Sequence, residues 1–243
     1  MGSTSESSST NWTRVAGGAG IISMVLVLAD LALGTDKPIS INSPVSTIAS
    51  HMTNHSTQNV AAGAFSVVGV TLFLVYAAVV AHRLRAERDT APLGLWLLAT
   101  STMFVVFAAL DVVIATAVSF VGRQANLTAE PALTRLMFHL YNGLLMPGVA
   151  HIALSGYFAV FAVGAFKGVI RPRWLGWLCT VMAPIALLNG IVGLSTANGG
   201  NFPLAPVAIV TLLIVTVVNG FSMVRENSQV AALPSQVEMA RPS

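Results

Sequence analysis

An aspartate stands inside an almost unbroken apolar run, FAALDVVIATAVSF, at residues 107–120. A carboxyl group in hydrocarbon is costly, by about 2.5–3.5 kcal/mol for Asp at the centre of a helix on insertion scales. Asp111 therefore needs a partner on another helix or a chemical role. If protonated, it could donate a hydrogen bond to a substrate, and if ionised, it could bind a cation. Asp30, in the run VLVLADLALG, poses the same question.

Further polar residues interrupt the later apolar runs. His139, Asn142 and His151 lie in the fourth run, Asn189 lies in the fifth and Asn219 in the sixth. Because a helix rises about 1.5 Å per residue, depth in the membrane can be read from sequence position. Five polar side chains are expected in one layer in the outer half of the membrane: Asp30, Asp111, His139, Asn142 and Asn189.

Apolar side chains share helix faces with this polar layer. Residues three or four positions apart lie on one face of a helix, so Phe104 and Phe107 align with Asp111 in the third helix, and Met146 aligns with Asn142 in the fourth. This arrangement predicts a pocket opening toward the outer leaflet that binds a lipid or small apolar ligand. The predicted ligand-binding residues are Asp30, Phe104, Phe107, Asp111, His139, Asn142, Met146 and Asn189.

Other functions fit the same residues. Asp111 and His139 could form the acid–base pair of a membrane-embedded isomerase or cyclase acting on an isoprenoid-like lipid. A small-solute permease would use a polar path through helices 4 and 5, with Thr180, Thr216 and Asn219 continuing it. The simplest alternative is that Asp111 only fixes helix packing through a hydrogen bond. His151 and Ser155, one turn apart, are likewise expected to form a packing hydrogen bond.

Several classes of site lack their motifs in this sequence. It contains no GxxxxGK[ST], HExxH, GxSxG or paired CxxC, which argues against ATP hydrolysis, zincin proteolysis and hydrolase-fold serine chemistry. No cofactor is expected. His51 and His55 are four positions apart but have no third ligand, so no metal site is predicted. The basic run at residues 82–89 is expected to bind the anionic membrane surface and not nucleic acid.

The elements that position these residues are six apolar segments. The chain of 243 residues is 55% hydrophobic and only 9% charged, which is too few charges to cover a water-facing surface. A membrane-spanning helix needs about 20 mostly apolar residues. The sequence therefore predicts an all-α, polytopic integral membrane protein, with helices at about 15–34, 60–81, 93–121, 136–166, 175–195 and 206–224. The link at residues 35–59 is expected to be a solvent-exposed loop.

Charge sets the predicted orientation. Nine of the 12 Lys and Arg residues fall on one side of the six segments, and cytoplasmic loops carry an excess of these residues. Both termini are therefore predicted to be cytoplasmic. Residues 1–13 form a disordered cytoplasmic tail, residues 14–226 the six-helix transmembrane domain, and residues 227–243 a second cytoplasmic tail. The sequence does not indicate an oligomeric state. Pro147 and Pro184 are expected to kink helices 4 and 5.

Two short motifs resemble a bacterial family of six-helix membrane proteins, the domain-of-unknown-function family 4386. The first is RVAGGAGIISMVL at the start of helix 1, and the second is VIRPRWLGWL before helix 5. The resemblance covers roughly residues 12–225. It implies a six-helix bundle in a bacterial plasma (inner) membrane, with membrane lipids as its surroundings. It implies no established activity and supplies no catalytic residues.

Overall fold

The computed structural model describes the backbone of residues 4–33, 42–54, 56–124, 127–195 and 204–239. Helices make up nearly all of these residues, and no strand occurs among them. In chain order they are α1 (Thr4–Leu33), α2 (Val45–Asn54), α3 (Ser56–Ala86), α4 (Ala91–Gln124), a 3-10 turn (Leu127–Ala129), α5 (Pro131–His139), a π-helical stretch called here the π segment (Leu140–Ala150), α6 (His151–Phe166), α7 (Trp174–Ser195) and α8 (Ala205–Met239). For this part of the chain, the all-α prediction is confirmed.

Six stretches of the described residues are long and apolar enough to cross a membrane. The fourth is the longest, because α5, the π segment and α6 follow one another without a break. The six stretches are Trp12–Leu33, Val60–Ala86, Ala91–Val118, Pro131–Phe166, Trp174–Ser195 and Pro206–Glu226. Their number and positions agree with the six segments predicted from the sequence, and they indicate a multi-pass membrane protein.

Helical backbone extends beyond the apolar stretches. The helix α1 begins at Thr4 and α8 continues to Met239, so the backbone is helical through much of the predicted tails at residues 1–13 and 227–243. Backbone hydrogen bonds between residues four apart do not require apolar side chains. Hydropathy therefore identifies only the part of a helix that is apolar enough to lie in lipid, and α1 and α8 extend beyond that part.

The short helix α2 corrects one prediction. Residues 35–59 were expected to form an exposed loop, but Val45–Asn54 is helical. Ile48 and Met52, one turn apart, are buried against Phe138 of α5 and Val118 of α4. The four residues form a small apolar cluster separate from the main core. The polar composition of the link concealed this helix, because only one of its faces is apolar.

The six spans pack in a ring, and the fourth, which contains α6, is the most buried of them. The helix α1 contacts α3 and α8, α3 contacts α4, and α4 contacts both the π segment and α6. The helix α7 then closes the ring between α6 and α8. Most residues of α6 are buried. Its Tyr157 lies 5.6 Å from Phe73 of α3 and 5.4 Å from Phe161, measured between ring centroids. Phe104 of α4 joins this aromatic core through Phe73.

Basic residues gather at one end of the bundle, called here the basic end, where α3 and α6 finish and α4 and α7 begin. The residues are Arg83, Arg85, Arg88, Lys167, Arg171 and Arg173. Trp96 and Trp177 follow within the first turns of α4 and α7 and are 65% and 70% exposed. Exposed tryptophans of this kind are typical of the boundary between lipid and water.

The π segment surrounds Pro147. A kink was expected there because proline lacks the backbone donor that an α-helix uses. The structure has π-helical geometry from Leu140 to Ala150, so the change in hydrogen bonding extends over 11 residues. The helix α7 packs closely against this segment. A Cβ atom on Gly193 would lie 2.7 Å from the carbonyl oxygen of Pro147. In contrast, α7 is α-helical on both sides of Pro184.

Candidate functional site

Two carboxyl groups meet at the half of the bundle away from the basic end. Asp30 lies near the end of α1, and Asp111 lies in α4. They are close enough to interact electrostatically. Ser66 of α3 donates a hydrogen bond of 2.6 Å to Oδ2 of Asp30. The three residues come from three adjacent spans, and we call them the carboxyl cluster.

The carboxyl cluster contacts the irregular backbone of the fourth span. The backbone N–H of Met146, inside the π segment, interacts with the Asp111 carboxyl group. The carbonyl oxygen of the same residue lies 2.7 Å from Nδ1 of His151. A carbonyl only accepts, so Nδ1 of His151 carries the proton in this contact. Side chains thus bind both polar groups of the Met146 backbone, as irregular backbone in a membrane requires.

One oxygen of Asp111 is available to a further partner. Its Oδ1 is buried, and no hydrogen-bond partner for it exists within the described part of the chain. A buried acceptor without a donor costs about 1–3 kcal/mol, and more when it is charged. An apolar surrounding makes such an atom a strong acceptor for any donor that enters. The chemistry that fits it is a hydrogen-bond donor or a cation.

The structure brings only some of the predicted site residues together. Asp30 and Asp111 interact, Met146 contributes its backbone N–H, and its side chain packs against the main core. Phe104 is buried in the aromatic core. Phe107 is partly buried against the same core. The side chain of Asn142 lies outside the described residues.

The other two polar residues of the predicted layer have buried atoms without a hydrogen-bond partner among the described residues. Nδ1 of His139, at the end of α5, has no hydrogen-bond partner among the residues described. The same holds for both amide atoms of Asn189, whose side chain is 2% exposed. Asn189 precedes Gly190, where a Cβ would lie 2.9 Å from the carbonyl oxygen of Gly148. Asn189 therefore lies near the π segment.

The acid–base pairing of Asp111 with His139 stays a prediction.

An apolar groove of about 390 Å³ runs along the outside of α4 between Leu95 and Phe107. Thr102 supplies its one side-chain hydroxyl group. Of the predicted ligand-binding residues, Phe107 alone lines this groove. Phe107 thus borders both this groove on α4 and the main hydrophobic core.

A second polar cluster lies toward the basic end. The hydroxyl of Tyr76 donates a 2.8 Å hydrogen bond to Oδ1 of Asn219, and Nδ2 of Asn219 donates a 2.9 Å bond to the carbonyl of Arg171. Tyr157 and Thr216 are buried beside Tyr76. These bonds join α3 and α8 to the turn between α6 and α7. Thr180, expected with Thr216 and Asn219 to continue a polar path, is exposed and bonds the carbonyl of Gly176 in its own helix.

Sequence reasoning missed Ser66 and the Met146 backbone. Serine is common in apolar helices and gives no signal by itself. The Met146 N–H was not foreseen, because Pro147 was expected to kink the helix and not to place a donor beside Asp111. His151 was expected to bond Ser155, and the structure places its Nδ1 2.7 Å from the carbonyl oxygen of Met146. His51 was expected in a solvent-exposed loop. The ring of His51 packs edge-on against Phe138 at 6.1 Å, and His55 lies outside the described residues. No group of three His, Cys, Asp or Glu residues suited to a metal occurs in the described chain.

Comparisons with family models, curated proteins and solved structures find no match to this chain. The resemblance to family 4386 therefore stays an expectation from two motifs.

Proposed function

We propose that this protein is a non-enzymatic membrane protein that binds a lipid or a small, mainly apolar ligand at the carboxyl cluster. The observation that supports this most directly is the unpartnered Oδ1 of Asp111, buried next to Asp30 in an apolar bundle. A ligand with one donor or cationic group on an apolar body would satisfy that oxygen and fill apolar space around it. Most small-molecule sites combine these two features.

The orientation and location form part of the same proposal. Most Lys and Arg residues outside the spans belong to the basic end, including Arg83, Arg88 and Lys167. The positive-inside rule then puts the basic end and both termini in the cytoplasm. The carboxyl cluster would face the outer leaflet. The motif resemblance favours a bacterial plasma membrane.

Native mass spectrometry of the protein in mild detergent tests this function. We expect the wild type to retain a bound species and Asp111→Asn to lose most of it, because the amide replaces one acceptor oxygen with a donor. Ser101→Ala is the matched control. Ser101 is buried in α4, its hydroxyl has no partner among the described residues, and it lies about 15 Å along the helix from Asp111.

Two results would contradict the proposal. One is a wild-type protein with no bound species. The other is an Asp111→Asn protein that keeps its ligand but melts at a lower temperature, which would mean that Asp111 only fixes packing.

A small-solute permease is the second candidate. It is favoured by the buried polar groups that continue from the carboxyl cluster toward the basic end, namely Ser23, Tyr157, Thr216 and Asn219. Stopped-flow light scattering on proteoliposomes tests it with glycerol and urea. A permease would raise the rate of solute entry in proportion to protein content, and a binding protein would leave it unchanged.

A further inference from the structure

A polar pocket of about 380 Å³ lies at the basic end, far from the carboxyl cluster. Its walls are the turn between α3 and α4 and the turn that follows α6. Two acidic residues, Glu87 and Asp89, and two basic residues, Arg88 and Lys167, supply its charges. The pocket therefore presents both signs of charge within one small volume.

These four charges are available for a ligand. No ion pair joins any of them to another residue in the described part of the chain, although opposite charges line the same pocket. The neighbouring Arg83 is different, because it already bonds Glu226 at 2.7 Å. A ligand that bears one positive and one negative group could engage both pairs of side chains at once.

The walls of the pocket are fixed by local hydrogen bonds. The Thr90 hydroxyl donates to the carbonyl of Leu84 at 2.7 Å, which holds the α3–α4 turn. On the other wall, the N–H groups of Val169 and Ile170 both donate to the carbonyl of Gly164. Gly168, on the same wall, has a φ of 82°, which favours glycine. The pocket is thus a feature of ordered turns.

The pocket borders the surface that would face lipid. Val163 and Phe166, which precede Lys167 in α6, are each 41% exposed. The Phe166 ring packs against Trp177 at 5.1 Å, and Trp177 is among the exposed tryptophans typical of the membrane interface. The pocket therefore lies at the depth of phospholipid headgroups, with an apolar surface below it for acyl chains.

We propose that this pocket binds the zwitterionic headgroup of a phosphoethanolamine-bearing phospholipid. Arg88 and Lys167 bind the phosphate, because guanidinium and ammonium groups form charge-assisted hydrogen bonds with phosphate oxygens. Glu87 and Asp89 bind the primary ammonium. A purely anionic headgroup would bring its charge near two carboxylates, and a choline headgroup has no N–H to donate. This site is independent of the ligand proposed for the carboxyl cluster.

The test uses the full protein in nanodiscs that contain equal amounts of phosphatidylethanolamine, phosphatidylglycerol and phosphatidylcholine. Native mass spectrometry counts the lipids retained after release from the nanodisc. The wild type retains phosphatidylethanolamine preferentially. Lys167→Gln lowers that retention about fivefold, the order expected for an exposed charge pair. Glu87→Gln moves the preference toward phosphatidylglycerol, because it removes a negative charge from the pocket.

Arg225→Gln is the matched control, since it removes one exposed positive charge in α8 at the same end but outside the pocket. Equal losses in Lys167→Gln and Arg225→Gln would overturn the proposal, as would wild-type retention of phosphatidylglycerol or phosphatidylcholine above phosphatidylethanolamine. Circular dichroism confirms that each variant is folded before lipids are counted.

Discussion

At the scale of single residues, the buried polar groups fall into two kinds. Tyr76 and Asn219 satisfy each other and the Arg171 carbonyl, so they are accounted for by structure alone. Asp111 and Asn189 keep buried atoms with no partner in the described chain. Because an unpartnered buried polar atom is costly, and a charged one more so, Asp111 is where a ligand is most expected.

The first kind gives a prediction about stability. Tyr76→Phe should lower the free energy of unfolding by about 1 kcal/mol, because Oδ1 of Asn219 loses its buried donor. Equilibrium unfolding in mixed micelles measures this. In a double-mutant cycle with Asn219→Leu, the coupling should be about 0.6–1.7 kcal/mol.

Thr71→Val is the control for this prediction, since Thr71 is exposed and its hydroxyl bonds only its own helix. It should change stability by less than Tyr76→Phe. Additive effects of Tyr76→Phe and Asn219→Leu would show that the 2.8 Å contact between the two side chains contributes nothing.

Part of this residue-scale picture was predictable. The spacing of Ala16, Gly20 and Ser23 predicts a packed face of α1, and all three are buried. Asp30 and Asp111, whose carboxyl groups are costly to place in hydrocarbon, were expected in one layer of the membrane. The two carboxyl groups interact. Ser66 and the donor from Met146 were not predictable, because they depend on which helices are neighbours.

At the scale of elements, the π segment and α7 form a tightly fitted pair. The backbone at Pro147 touches α7 where α7 has glycine and no side chain. The sequence predicted a disturbance at Pro147, since proline removes a known hydrogen bond. It did not predict the eleven-residue π geometry, because that depends on how α7 and Asp111 contact the segment.

This fit predicts a strong effect of one added methyl group. In Gly193→Ala the new Cβ would lie 2.7 Å from the carbonyl oxygen of Pro147 and 2.8 Å from its carbonyl carbon. Backbone atoms cannot turn aside as a side chain can, so the free energy of unfolding should fall by about 1–3 kcal/mol. Thermal unfolding monitored by static light scattering and circular dichroism measures the loss.

Gly18→Ala is the matched control, because no atom beyond the adjacent backbone of α1 lies within 4 Å of its added Cβ. It should be neutral or stabilising by up to about 1 kcal/mol, since alanine favours helix over glycine. If the Gly193→Ala protein were as stable as Gly18→Ala, the backbone at Pro147 would have shifted to accommodate the new Cβ at little cost in free energy. That result would contradict the prediction.

At the scale of the whole molecule, charge and exposure divide the bundle into two ends. One end carries the arginine-rich turns, and the other carries α2 and α5 with their small apolar cluster. Composition predicted this division and the number of spans. It could not predict that the fourth span would be the most buried of the six, because the apolar composition of all six spans is similar.

The orientation of the bundle can be tested with single cysteines in a Cys179→Ser background, since Cys179 is buried. We expect Leu133→Cys to react with an impermeant maleimide in intact cells, because Leu133 is 50% exposed in α5 at the end predicted to face outward. Arg173→Cys, exposed at the basic end, should react only after the cells are permeabilised. The reverse pattern would put the carboxyl cluster in the inner leaflet.

The contact between α1 and α8 has a consequence for biogenesis. Gly17 and Gly220 meet backbone to backbone, so a Cβ on Gly17 would lie 2.6 Å from the Gly220 carbonyl oxygen. Nearly the whole chain separates the two residues. During translation, α1 therefore enters the bilayer before α8 has been synthesised. Its Gly17 surface stays uncovered until α8 packs against it. Closure of the ring is then a late step of assembly, and a stalled or truncated chain would present an open bundle to quality-control proteases.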